Sequence, residues 1–450
     1  MLVNFSVSNF LSFNEEQTFS MAAGRVRGNS DRIFREQSLR IKKCSAILGL
    51  NASGKSNFIR ALNFTRHTIV HGLPRGFSNM YFRLGEDNAS RSSYFTTQIL
   101  IEKRLIEYGF SLTLRTGVID SEWLVEITPS TGTQRIIYKR EPLIGRYEFG
   151  GQFKGKKIRD KLSLYAEDSA KESSILFLTM MNQGKDQLYE NEPEATVLRD
   201  VYNWFKDDLI IRFPSNAMTH YFFLSDVDID EIAELLHSFG TGITSAKIKN
   251  MTVEEAKAKI PEGVFNDVIQ NIEKDLAANT ASEKFDGEIL SLYSFKRFYT
   301  FKARSINDLH IETIEFAHEK DNIYFELNEE SDGTARLLEL LEILLSKDDS
   351  AVYIVDELDR CLNPMITRAF AEKYMELAKK RNIQLIFSTN ESTLLDTAIF
   401  RNDELELIGK DEYGQSCLHS MEDLRLRSDR NLFQAYFYGE EFGKFRPNRK

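Results

Sequence analysis

The chain has 450 residues, of which 42% are hydrophobic and 33 are Phe. That excludes a disordered polypeptide and leaves room for two or three structural units, or one domain with a large insertion. A net charge of −10 argues against a protein that coats nucleic acid non-specifically, and no apolar run nears the roughly 20 residues of a membrane span, so no membrane partner is expected.

The start, Met1–Val7, lacks the basic opening and continuous apolar core of a signal peptide. Three cysteines, Cys44, Cys361 and Cys417, are too far apart for a disulfide framework or zinc site, which suits a reducing cytoplasm. Val3, Phe5 and Val7 alternate with polar residues and predict a half-buried strand. Cys44–Leu48 reads as a short buried strand, and Phe58, Ile59, Leu62, Ile69 and Val70 are spaced like one face of a helix.

Between them lies Gly49–Ser56, which fits G-x-x-x-x-G-K-[ST] without mismatch. Gly49 and Gly54 let the backbone curl so that its N–H groups point at phosphate oxygens. Asn51, Ala52 and Ser53 complete the cradle and Asn57 follows it. Lys55 reaches the β/γ-phosphates of ATP, Ser56 offers a hydroxyl to Mg²⁺, and the helix N-terminus faces the anion.

Ser93–Ile101, Leu105–Leu114 and Trp123–Ile127 predict an antiparallel meander, which Tyr138, Tyr147 and Phe149 extend. Composition changes near residue 160, and from there to about 290 the pattern is mainly helical, with capping-box spacing at Thr252–Glu255. Strands return at Phe298–Phe301, Ile311–Phe316 and Ile323–Leu327, followed by an apolar helix over Leu337–Leu345. Ala351–Val355 and Ile383–Phe387 read as buried parallel strands. The predicted fold class is therefore α/β: a split head with an antiparallel subdomain and a helical insertion. Its N-terminal half covers residues 1–160, the insertion 161–290, and the C-terminal half 291–450.

Strand Ala351–Val355 ends in Asp356-Glu357, as a Walker B element requires. Asp356 would hold Mg²⁺ directly or through water, and Glu357 would polarise the attacking water. Upstream, Ser331-Asp332-Gly333 opens the Leu337–Leu345 helix, and this Ser-x-Gly resembles the signature motif of ABC-type ATPases. In those proteins the motif binds the γ-phosphate held by the other subunit; a hydroxyl, exposed N–H groups and a helix dipole suit an anion. Asp359 matches the D-loop, which crosses the dimer interface in that superfamily.

Together these residues resemble the AAA-type ATP-binding proteins of bacterial abortive-infection systems. Those proteins have ABC-like heads related to the overcoming-lysogenization-defect nucleases and to RecF and Rad50. The resemblance includes Val7-x-Asn9-Phe10-x-Ser12-Phe13, Gly49–Asn57, Tyr94-Phe95, Tyr108–Phe110, Glu122–Leu124, Ser331–Arg336, Asp356–Leu358 and Leu362–Pro364. The tail Phe437-Tyr438-Gly439-x-x-Phe442-Gly443 belongs to it as well. Ser388-Thr389-Asn390 stands where the family has Thr-Thr-His, so Asn390 is aligned with a histidine that contacts the γ-phosphate. Asparagine can hydrogen-bond phosphate or water but cannot titrate near neutrality. Asn363 likewise replaces a histidine, and Gln98 reads as an ordinary strand residue rather than a Q-loop.

No second chemistry is expected. The 94 residues after Asp356 (450 − 356 = 94) are too few for the Toprim nuclease of related chains, and there is no H-E-x-x-H. An EF-hand loop from Asp226 would need Gly and Glu where Glu231 and His237 stand. Lys154–Arg159 and Lys379–Arg381 read as solvated surface. The resemblance implies a sensor or regulatory ATPase of an anti-phage system, pairing head to head with a second copy and acting on a separate effector, a nuclease or toxin. The rivals are a nucleotide-gated scaffold with little turnover, for which Asn390 argues, and a RecF-like DNA repair ATPase, against which the acidic balance and short insertion weigh.

Overall fold

The computed structural model describes residues 1–24, 28–171, 174–214, 228–279, 288–294, 297–305, 308–318, 323–396 and 398–423. These form two compact units. The first is assembled from Met1–Phe213, Asp348–Leu358 and Met375–Lys450, the second from Pro214–Lys347 and Asp359–Tyr374.

The centre of the first unit is a six-stranded sheet. Its order is Leu209–Arg212, Val352–Val355, Gln384–Thr389, Cys44–Leu48, Leu405–Lys410 and Ser416–Ser420. The first five strands are parallel and the last returns antiparallel. Every residue of Cys44–Leu48, Val352–Val355 and Gln384–Thr389 is buried, which is why these strands read as largely apolar runs without a polar face.

A seven-stranded antiparallel sheet forms the second layer of this unit, with Leu2–Ser8 inserted between the meander and Gln17–Ser20. Its inner face packs on helix Lys55–His71 through phenylalanines. Phe5 meets Phe58 edge-on at 5.7 Å, and Phe64 meets Phe10 at 5.1 Å and Phe95 at 5.0 Å. Each such pair adds about 0.5–1.5 kcal/mol beyond its buried area. The fully buried Gln384 amide joins the two sheets: it accepts from Leu2 N and donates to the carbonyls of Leu2 and Lys42.

The expected insertion boundary at residue 161 is not where the chain divides. Lys156–Lys171, Phe177–Met181 and Thr196–Asn203 are helices, as the composition predicts, but their buried residues Ile158, Leu162, Phe177, Leu178 and Val201 belong to the core of the first unit. Leu209–Arg212 then enters the parallel sheet beside Val352–Val355. Periodicity reports that a helix has an apolar face, not which core the face joins.

The second unit is not purely helical either. Its five-stranded antiparallel sheet includes Ile243–Met251, paired with Asp308–His318. This strand alternates too poorly to be read from sequence, because Lys247, Ile248 and Asn250 lie exposed along it. Helix Glu262–Asn279 covers the sheet, and the capping box Thr252/Glu255 forms as expected. Asp228 caps helix Ile229–Ser238, accepting from Asp230 N, with Ile232 and Leu236 buried. Asp226, Val227 and the tail Phe437–Gly443 lie outside the described residues.

Candidate functional site

In open parallel sheets ligands bind beyond the carboxyl ends of the strands. Three neighbouring strands of the first unit deliver the predicted residues there. Cys44–Leu48 leads into Gly49–Ser56, Val352–Val355 into Asp356-Glu357, and the strand between them, Gln384–Thr389, into Asn390. Burial pushes the Cys44 thiol well above its ordinary range, so it is a neutral core group at the root of the loop.

The two loop glycines are required for different reasons. Gly54 has φ +120°, a conformation that side chains rarely adopt, and a Cβ there would sit 2.2 Å from Ser416 Oγ. Gly49 has no left-handed φ; its need is space, since a Cβ would lie 2.3 Å from the Ile408 carbonyl. Ala52 takes the other left-handed position, at φ +63°. A serine network supports the loop from the hairpin side. Ser416 Oγ donates to Ser53 O at 2.6 Å and lies 2.8 Å from Ser12 Oγ, which accepts from Asn57 Nδ2 at 2.9 Å.

No side chain caps helix Lys55–His71 at Gly54, and its first turn holds no acidic residue. A helix N-terminus of this kind suits an anion. Ser53 Oγ, in the same loop, is buried without a hydrogen-bond partner among the described residues. Lys55 Nζ donates to Gly49 O at 2.5 Å, Leu50 O at 3.1 Å and Asn390 Oδ1 at 2.8 Å. Ser56 Oγ donates to Asp356 Oδ1 at 3.2 Å, bringing together a hydroxyl and a carboxylate from segments that follow two non-adjacent strands. One carboxylate and one hydroxyl are the small, hard oxygen set that Mg²⁺ uses when phosphates complete its shell. Among the described residues no cluster of three or more His, Cys, Asp or Glu could hold a metal by itself. The loop thus fits a nucleoside triphosphate with Mg²⁺.

Glu357 follows in the left-handed region, φ +50°, half-exposed beside the buried Asp356. Asn51 and Ala52 are exposed at the loop crest. Gln98 lies in strand Ser93–Ile101, where its amide donates to Glu107 and accepts from Asn4. Ser331, Gly333 and Asp359 belong to the second unit. There Ser331 caps helix Asp332–Leu345, accepting from Thr334 N at 3.0 Å, and is itself exposed. A Cβ on Gly333 would lie 3.0 Å from the Cys361 carbonyl, so this glycine permits close packing against the segment that follows Asp359. Ser12 lies within the Val7–Phe13 resemblance motif, but nothing in the sequence ties it to Ser416, 404 positions away, or assigns either serine to the loop.

Loop, carboxylates and intervening strand meeting at one end of a parallel sheet, with an antiparallel sheet on the loop's helix, are the architecture of an ABC-type P-loop head. The chain matches, over residues 44–396, the family described as "AAA domain, putative AbiEii toxin, Type IV TA system", and it belongs to that family. No curated protein matches it. Among solved structures it is similar to an Smc head bound to the C-winged helix domain of ScpA, at 14% identity over 94% of this chain and 99% of that one, TM-score 0.40. It is similar to the SMC head domain from Thermotoga maritima, at 13% identity over 93% and 98%, TM-score 0.34. An Smc head with an extended coiled coil, bound to the C-terminal domain of ScpA derived from Pyrococcus furiosus, gives 15% over 94% and 97%, TM-score 0.43. No helix among the described residues is long and apolar enough to cross a membrane.

Proposed function

We propose that the protein hydrolyses ATP to ADP and phosphate, and that this cycle governs its pairing with a second copy and with a separate effector in an anti-phage system. The convergence of Lys55, Ser56, Asp356 and Glu357 at the ends of neighbouring parallel strands carries the reading. Lys55 and the helix N-terminus bind the phosphates, and Ser56 and Asp356 hold Mg²⁺, which offsets phosphate charge when bound. Glu357 orients a water and accepts its proton. Exposed Ser331 and half-exposed Gly333 of the second copy would close the site, with Asp359 at the interface. The link to a toxin rests on the family description, and the anti-phage role and separate nuclease or toxin effector rest on the sequence resemblance. Glu357→Gln should retain ATP binding, slow turnover at least tenfold and increase the dimer fraction in sedimentation velocity with ATP. Parent-like turnover in that variant would remove Glu357 from the chemistry. The Asn390–Lys55 bond also supports a second reading, a nucleotide-gated scaffold with little turnover, because an amide cannot relay a proton.

A further inference from the structure

Asp356 and Glu357 have different tasks in this reading, yet both are set by one side chain that neither task requires. Ser388, fully buried on the strand between the loop strand and the Walker B strand, donates from Oγ to Asp356 Oδ1 at 2.5 Å. The same Oγ accepts from Glu357 N at 2.8 Å. Its carbonyl then accepts from Leu358 N at 3.0 Å. Three consecutive residues are thus held by one serine, at the point where the backbone turns left-handed at Glu357. The oxygen that Ser388 fixes is also the one that receives Ser56 Oγ. Two residues further on, Asn390 holds Lys55.

We infer that Ser388 is a positioning residue: it aims Asp356 Oδ1 at the metal position beside Ser56 and stabilises the left-handed turn that presents Glu357. The inference rests on the nucleotide–Mg²⁺ reading of this site. Partners that orient ligating carboxylates typically change metal affinity or activity by about 10–100-fold when removed. A non-glycine residue at positive φ needs such surroundings to persist.

The test compares parent, Ser388→Ala and Ser388→Thr, with Lys55→Ala as control. A fluorescent ATP analogue is titrated at graded Mg²⁺ and in EDTA, and turnover and melting temperature are measured on the same samples. Ser388→Ala should bind the analogue in EDTA like the parent but require roughly tenfold more Mg²⁺ to reach its tight-binding state. Its kcat should fall about tenfold or more with KM changed far less. Ser388→Thr, which keeps the hydroxyl, should restore both. If the Mg²⁺ dependence of binding in Ser388→Ala equals that of a tight-binding parent, the positioning role is refuted while the nucleotide reading stands. A drop in melting temperature with unchanged Mg²⁺ dependence also refutes it, as mere packing. A parent that binds no better than Lys55→Ala overturns both.

Discussion

Glu122 offers a magnitude that can be worked from the structure. It is fully buried on strand Val118–Ile127 and accepts five hydrogen bonds, from Tyr108 OH (3.0 Å), Tyr138 OH (2.7 Å), Arg140 Nε (2.7 Å), Phe177 N (2.7 Å) and Leu178 N (3.0 Å). Burial, reinforced by this carboxylate, pushes both phenols well above 10, so they remain donors. The carboxylate thereby ties helix Phe177–Met181 to the antiparallel sheet, and Thr179 of that helix donates to Ile69 O on the phosphate-loop helix. Glu122→Ala would leave the buried Arg140 guanidinium without its anion, although Ser169 Oγ and Ile175 O still accept from it. Breaking a buried pair in this way costs about 3–5 kcal/mol. For a unit of this size that is roughly a 5–8 °C fall in melting temperature. Differential scanning calorimetry checks it. Adding Arg140→Met should recover part of the loss, because it removes the stranded charge. A fall below about 2 °C, or strictly additive losses in the double variant, would refute the argument.

Further expectations concern the loop and the second unit. Gly54→Ala should weaken ATP binding at least tenfold by equilibrium titration, since it is disfavoured by both φ +120° and the Ser416 contact; parent-like affinity would contradict that geometry. Asn390→Ala should leave binding within a few-fold but lower turnover, because it releases Lys55 Nζ from its side-chain anchor. In the second unit burial alone would raise the Glu315 carboxyl, but hydrogen bonds and charge from Lys249 and Lys247 outweigh it and hold it below its ordinary 4.5. A depressed carboxyl contributes stability that is present above 4.5 and lost as pH falls through the lowered value. Glu315→Gln should therefore be less stable than the parent at pH 7 and converge on it in acid, as followed by urea unfolding across pH; a constant difference would contradict the pairing.

The parts legible in the sequence are those whose chemistry is local. The phosphate loop, the apolar strand ending in Asp356-Glu357 and the alternation of Val3, Phe5 and Val7 each state their geometry within a few residues. What stayed hidden depends on partners distant in sequence. Gly49 is small because of Ile408, and Ser388 matters because of Asp356, 32 positions earlier. Leu209–Arg212 is too short and too plain to announce that it completes a parallel sheet beside a strand more than 140 residues later. Ile243–Met251 lacks a clean alternation because much of it faces solvent, so its neighbourhood reads as helical.

The most direct measurement is steady-state phosphate release by the purified protein with ATP and Mg²⁺, set against Lys55→Ala. Turnover well above the Lys55→Ala background, abolished by EDTA and reduced at least tenfold in Glu357→Gln, is the predicted result. Phosphate release indistinguishable from the Lys55→Ala background would contradict hydrolysis and leave the nucleotide-gated scaffold.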